Sequence, residues 1–324
     1  MNTPGQPSHP ASPFHPGELA VQTRAGSREA IAEVGARVIR AAMPDQHRQF
    51  FAQLPFLVVG ALDAHGHPWA TLLSGAPGFA HAPDATLLRV NALPPATDPL
   101  HGAVTLGAPV GVLGLAPSTR RRNRVNGRVV DADTDGFAIR VDQSFGNCPQ
   151  YIRQREITPQ RHSAPARAER PQTSLDDDAQ RQIASADTFF IATHYAGDRT
   201  TERSAGTDVS HRGGKPGFVR VDDANTLMWP DFRGNAYYNT LGNLYANPSA
   251  GLVFVDFTSG DFLHVTGDAD ILWQDEATSG FAGAQRLVRM RVREVRRVRG
   301  ALPATWRDGE VSPSVERTGA WPTA

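Results

Sequence analysis

Cysteine and lysine are nearly absent from this 324-residue chain. One cysteine, Cys148, excludes an intrachain disulfide framework and any zinc site needing two cysteines from one chain. That usage fits a reducing compartment. Lys215 is the only lysine among 33 basic residues, so its location is of interest. Net charge is lacking too: 33 basic side chains match 33 acidic ones, which argues against attachment to nucleic acid by bulk charge. No run approaches the ~20 apolar residues of a membrane helix. The start, MNTPGQPSHPASPFHP, has neither a basic opening nor an apolar core, so a signal peptide is not expected. A soluble, cytoplasmic protein is the expectation. No HExxH occurs, and the histidines are scattered, so no metal site is expected.

What is present has the size of about two domains at ~150 residues each. Residues 1–13 read as a disordered arm. Ser27 opens a helical stripe of Ile31, Val34, Val38, Ile39 and Ala42 that Pro44 stops, and Asp45 caps a short second helix. From Phe56 the texture changes to short apolar runs punctuated by Gly, Pro and Asp, the pattern of a barrel or sandwich. The polar, Pro/Arg-rich stretch 158–173 reads as a linker, Leu175 to Ala186 as a helix, and strand texture then resumes to about Arg299. Near the C-terminus Val288, Met290 and Val292 alternate with Arg289, Arg291 and Arg293, as in a strand with one basic face. Nucleic-acid binding through such a face is not favoured in a neutral chain.

The two strand-rich halves repeat each other. Pro77-Gly78-Phe79 recurs as Pro216-Gly217-Phe218, Thr86-Leu87 as Thr226-Leu227, Gly111 as Gly251 and Gly127 as Gly267, at nearly constant offset. Two copies of one domain paired about a pseudo-twofold axis would explain this. The copies differ in equipment. The stretch Val209 to Phe218 of the second carries Ser210, His211, Arg212, Gly213, Gly214 and Lys215 where the first has Leu72 to Phe79. Arg and Lys are charge-assisted donors for a phosphate, and glycines let a ligand approach the backbone. Pro216 follows Gly-Lys, so this is no P-loop, and a solvated polar hairpin would look alike. Asn235, Asn239 and Thr240 precede a predicted helix whose N-terminus suits an anion. The first copy offers Arg122 and Asn123 within a basic stretch, then Gln143 and Ser144 ahead of Cys148. A solvated strand edge is the other reading of the arginines.

These residues resemble the FMN-binding split-barrel family related to pyridoxamine 5'-phosphate oxidase, in particular a subgroup of tandem, predicted flavin-nucleotide-binding proteins. The resemblance is carried by FHPGEL (14–19), MPDQH (43–47), RRNRVNGR (121–128), QSFGNCPQY (143–151), SHRGG (210–214), NTLGN (239–243) and Asn247-Pro248. It implies a mainly β, α+β fold of two tandem six-stranded antiparallel split barrels with flanking helices: a first barrel over 14–157, a second over 174–306, and a C-terminal tail over 307–324. It implies FMN as cofactor, its phosphate held by Arg212, Lys215, Asn235, Asn239 and Thr240. Ser210, His211 and Gly213 would line the site, and Arg122, Asn123, Gln143 and Ser144 would close it. The chain departs from the oxidases where they have basic phosphate ligands, and Arg296-Arg297-Val298-Arg299 does not match their substrate-binding Arg-x-His stretch. An FMN-dependent oxidoreductase acting with a small-molecule substrate or electron donor is expected. A non-catalytic flavin or haem carrier of the same fold is the alternative. Barrels paired within one chain or in a homodimer both remain open.

Overall fold

The structure is a computed structural model that describes residues 12–159, 165–198, 202–273, 278 and 280–321. Most of the expected arm, residues 160–164 of the expected linker and the last three residues of the tail lie outside the described residues. Three helices come first: α1 (Pro16–Arg24), α2 (Arg28–Val38) and α3 (Asp45–Ala52). His15 caps α1 by accepting from Gly17 N, while Glu18 reaches back to His15 N at 2.9 Å, a capping box built on histidine. The helix expected from Ser27 to about Met43 stops at Val38. Arg40 instead exchanges backbone hydrogen bonds with Ser144, which draws the chain out of the helix.

Seven strands follow: β1 (Phe56–Leu62), β2 (Pro68–Ser74), β3 (Ala80–Asp84), β4 (Leu87–Val90), β5 (Pro109–Ala116), β6 (Arg121–Ala132) and β7 (Phe137–Asn147). They form one antiparallel sheet in the order β2-β1-β5-β6-β7-β4-β3. After β8 (Arg155–Pro159), β9 (Arg167–Ala168) and α4 (Asp177–Ser185), the second half runs β10 (Thr188–Tyr195), β11 (Gly206–Gly213), β12 (Arg220–Asp223), β13 (Thr226–Phe232), α5 (Asn239–Ala246), β14 (Ser249–Val255), β15 (Phe262–Leu272) and β16 (Ala284–Arg299). Its sheet has the order β11-β10-β14-β15-β16-β13-β12, with β9 added to β16. β17 (Ala304–Asp308) pairs with β8 in a separate ribbon. The fold is thus mainly β with flanking helices. Each sheet path has seven strands rather than six, and no pairing closes either path into a barrel among the described residues.

The two strand orders are the same, and one irregularity recurs in both. In β6 and β15 the register shifts at Gly127 and at Gly267. A Cβ there would lie 1.9 Å from Arg140 O and from Arg291 O respectively, so only glycine fits. Gly111 and Gly251 serve the sheet–sheet contact. A Cβ on Gly111 would meet Thr207 O at 2.6 Å, and one on Gly251 would meet Pro68 O at 2.1 Å. Each glycine lets its sheet approach the β2 or β11 strand of the other half. Between them Phe56, Val58, Leu72 and Leu113 pack with Phe190, Val209, Val253 and Phe262 in a shared core. Trp69 and Trp229 anchor the separate cores of the two halves. The sequence match at Thr86-Leu87 is one residue out of structural register, since Val141 N pairs with Thr86 O where Val292 N pairs with Asn225 O.

Along β16 Val288 and Met290 are buried, as the alternation requires. Its basic face is not free. Arg293 meets Asp268 at 2.6 Å, Arg289 meets Asp270 at 3.5 Å, and Arg297 and Arg299 pair with Asp176, Glu169 and Asp261. No described helix is long and apolar enough to cross a membrane.

Candidate functional site

β11 of the second half lies against β5 and β6 of the first, and a cleft opens at that seam. Period-2 alternation on β6 turns Arg122, Arg124 and Asn126 toward β11. Arg124 donates to Asp208 at 2.7 Å and, through its other terminal nitrogen, to the Ser210 hydroxyl. Asn126 and Asn243 donate to Asp208 at 2.6 and 3.1 Å, so that carboxylate accepts three hydrogen bonds with the one from Arg124. Thr240 donates to Ser210 at 3.0 Å. Both acceptor positions of Ser210 are therefore taken, and its own proton is left to donate.

Arg122 anchors through Nε to Cys148 O at 2.7 Å. Burial pushes its pKa down to about 10, Arg212 and Arg124 add to this, and Cys148 acts in the opposite sense. It remains cationic at neutral pH. Arg212 stands 3.5 Å from Asp231, and Arg286 stands 3.6 Å from the same carboxylate, both longer than a tight charge-assisted bond. Burial, offset in part by Asp231, also lowers Arg212 below the usual arginine range. Four guanidiniums thus face two carboxylates in a partly desolvated space, where uncompensated charge is felt strongly.

The far wall is the N-terminus of α5, with Asn239, Thr240 and Leu241 lining the cleft. No side chain caps this helix. The loop before it holds Ala236 at φ 59° and Tyr238 at φ 61°, a left-handed backbone that costs ~1–3 kcal/mol per residue and concentrates at functional sites. α1 fixes α5 in place. Asn239 donates to Glu18, Gln22 donates to Tyr237 O at 3.2 Å, and a Cβ on Gly17 would fall 2.3 Å from Gly242 O. Burial, then Asp208, raises the Glu18 carboxyl well above its usual range. Burial lowers His15 to about 4. His15 is therefore neutral at pH 7.

His211 forms the floor. It packs edge-on against Phe190, and its Nδ1 is buried without a partner. Burial first, then Arg122, Arg155 and Arg212, hold it well below the usual histidine range. The recess beneath the guanidiniums holds ≈ 80 Å³ and opens into ≈ 610 Å³ partly shared with solvent.

Of the residues singled out in the sequence, Arg122, Ser210, His211, Arg212, Asn235, Asn239 and Thr240 meet in this cleft. The others do not line it. Lys215 donates to Thr318 O at 2.6 Å, which ties it to the C-terminal segment. Gln143 donates to Pro13 O at 2.7 Å, and Ser144 bonds His47 at 3.2 Å. Asn123 points to the opposite face of β6 from Arg122. Gly213 closes β11, where a Cβ would lie 2.1 Å from Tyr151 O. Arg124, Asp208, Asp231 and Asn147 were not singled out. The strand alternation on β6 was the available signal for Arg124; nothing local marked the two aspartates.

No family model matches the chain, and no curated protein matches it. Solved structures overlap parts of it. HupZ of Group A Streptococcus aligns at 12% identity and TM-score 0.29, over 38% of this chain and 98% of that one. An FMN-binding protein from Syntrophomonas wolfei aligns at 13% and 0.27, over 37% and 84%. An FAD-binding protein from Mesorhizobium loti aligns at 12% and 0.26, over 41% and 97%.

Proposed function

We propose that the chain is two tandem split barrels that bind FMN at their seam and act as a flavin-dependent oxidoreductase. One observation carries the reading: the cleft gathers several donors and more guanidiniums than carboxylates around one recess. Arg122, Arg212, the Ser210 proton and the uncapped N-terminus of α5 converge on one recess. That set suits an acceptor-only dianion such as a phosphate monoester. Arg124, fixed by Asp208 and Ser210, orients the hydroxyl and the strand. Phe232, Tyr238 and Leu113 border the open part of the cleft and suit a planar ring. Asn147 Nδ2, buried without a partner, is a donor available to a ring carbonyl. Bound flavin supplies hydride and electron transfer; the protein orients it and limits access of water.

A flavin carrier is the second reading. It is favoured by the pairing of both cleft carboxylates, Asp208 and Asp231, with guanidiniums, which leaves neither free as a base. Titration of the purified chain with FMN, followed by its visible spectrum, tests the first step. Saturable micromolar binding that inorganic phosphate weakens is expected; no binding refutes both readings. Reduction of the bound flavin by NAD(P)H, with reoxidation on admitting oxygen, separates enzyme from carrier.

A further inference from the structure

The matched strand orders generate a second cleft equivalent to the first. Leu73 stands opposite Leu57 as Arg212 stands opposite Phe189. Phe262 stands opposite Val298 as Arg122 stands opposite Asn147. Leu72, Leu73, Phe262 and Val298 do line one cleft together, beneath the loop that follows β4. It spans ≈ 550 Å³ including its open part, close to the ≈ 610 Å³ of the arginine cleft. Its chemistry is inverted. The positions of Arg122, Arg212, His211 and Asn147 carry Phe262, Leu73, Leu72 and Val298. The counterpart of Ser210 is Thr71, and its hydroxyl is spent on Asp98. Asp98 also accepts from Leu100 N at 2.8 Å. Ser74, Thr97 and Asp98 supply the polar part of the lining, and among them the Thr97 hydroxyl is buried without a partner.

We propose that this second cleft binds an uncharged, ring-sized aromatic molecule with one hydrogen-bonding group, and does not bind phosphates. The reachable interior is ≈ 180 Å³. A cavity of roughly 150 Å³ accepts benzene, so this size suffices for one ring against the walls of Leu72, Leu73, Phe262 and Val298. The Thr97 hydroxyl fixes the polar end of a phenol-like ligand. An anion is rejected because no guanidinium lines the walls.

Fluorine NMR of 4-fluorophenol titrated into the full chain tests the proposal. Saturable broadening is expected, weakened at least tenfold in Ala92→Phe, which narrows the cleft, and unaffected by saturating FMN. No saturable broadening overturns it. So does displacement by FMN, which would place the probe in the arginine cleft. If Ala92→Phe fails to fold, crystals of the unaltered chain under xenon decide: density between Leu73 and Phe262 supports the cleft, and its absence there refutes it. Failure of FMN to bind would leave this result standing, since the two clefts share no lining residue.

Discussion

Arg212 and Arg124 lie in one cleft yet are predicted to fail in opposite ways. Arg124 is held on both terminal nitrogens, by Asp208 at 2.7 Å and by the Ser210 hydroxyl, and its side chain is only 3% exposed. Arg124→Leu strips the cation from a buried carboxylate, which costs about 3–5 kcal/mol. That is a large share of a typical stability of about 5–15 kcal/mol. Arg212 is 26% exposed and 3.5 Å from Asp231, and Arg286 remains beside that carboxylate when Arg212 is gone. Arg212→Leu is therefore expected to change stability by no more than about 1 kcal/mol. Its effect falls on the ligand. A lost charge-assisted hydrogen bond is worth about 1.5–3 kcal/mol, so FMN affinity should drop roughly 10- to 150-fold. Urea unfolding measures the first quantity and fluorescence titration with FMN the second. The reasoning is refuted if Arg212→Leu unfolds early with its affinity intact, or if Arg124→Leu is as stable as the parent chain.

Two further predictions follow from protonation. Asp176 caps α4 by accepting from Ala179 N at 2.7 Å, and its hydrogen bond with Arg297 is the main cause of a pKa lowered to about 2. Asp176→Ala should cost about 1 kcal/mol at neutral pH; because the folded pKa is depressed, the difference from the parent should shrink as pH falls from 3.8 toward 2, read by urea midpoints. His264 is fully buried, donates to Ala70 O at 3.0 Å and is held below the usual histidine value of 6.5 by burial first of all. Its neutral form is the folded form, so its stabilisation is complete above pH 6.5 and is lost as pH falls below it. His264→Leu should flatten the fall in unfolding free energy between pH 6.5 and 5 by up to about 1.4 kcal/mol per pH unit, and an unchanged slope refutes the assignment.

How much was legible depends on how local each cause is. Strand texture was readable because β1, β2 and β5 are short apolar runs between turn residues, and the first begins at Phe56, where the texture changes. The paired glycines were readable because a bulge or a close sheet contact admits nothing larger, so Gly127/Gly267 and Gly111/Gly251 recur in sequence. α1 was missed because its capping box uses His15 rather than Ser or Thr. α2 was overextended because the bonds that end it come from Ser144, about a hundred residues later. Lys215 looked suited to a phosphate, but Thr318 O lies 103 residues away and no local pattern announces it. Arg124 was missed for a similar reason, as its partner Asp208 is 84 residues distant.

The two clefts explain why glycine repeats and arginine clusters obey different rules in this chain. Gly111 and Gly251 sit where the sheets touch, and a methyl group on either would meet backbone oxygen at 2.6 or 2.1 Å. Backbone cannot move aside cheaply, so both halves keep glycine. Cleft walls carry no such demand. The packed core shared by the halves uses Phe56, Val58, Phe190 and Val253, while Arg212 and Leu73 are not part of it. Their identity can change without disturbing the sheet contact. Charge also favours divergence. A second cluster of guanidiniums across the same seam would add desolvated positive charge to a site where burial and mutual repulsion already lower Arg122 to about 10. One polar and one apolar cleft avoid that repulsion. The same geometry can then hold an anion on one side and a neutral ring on the other.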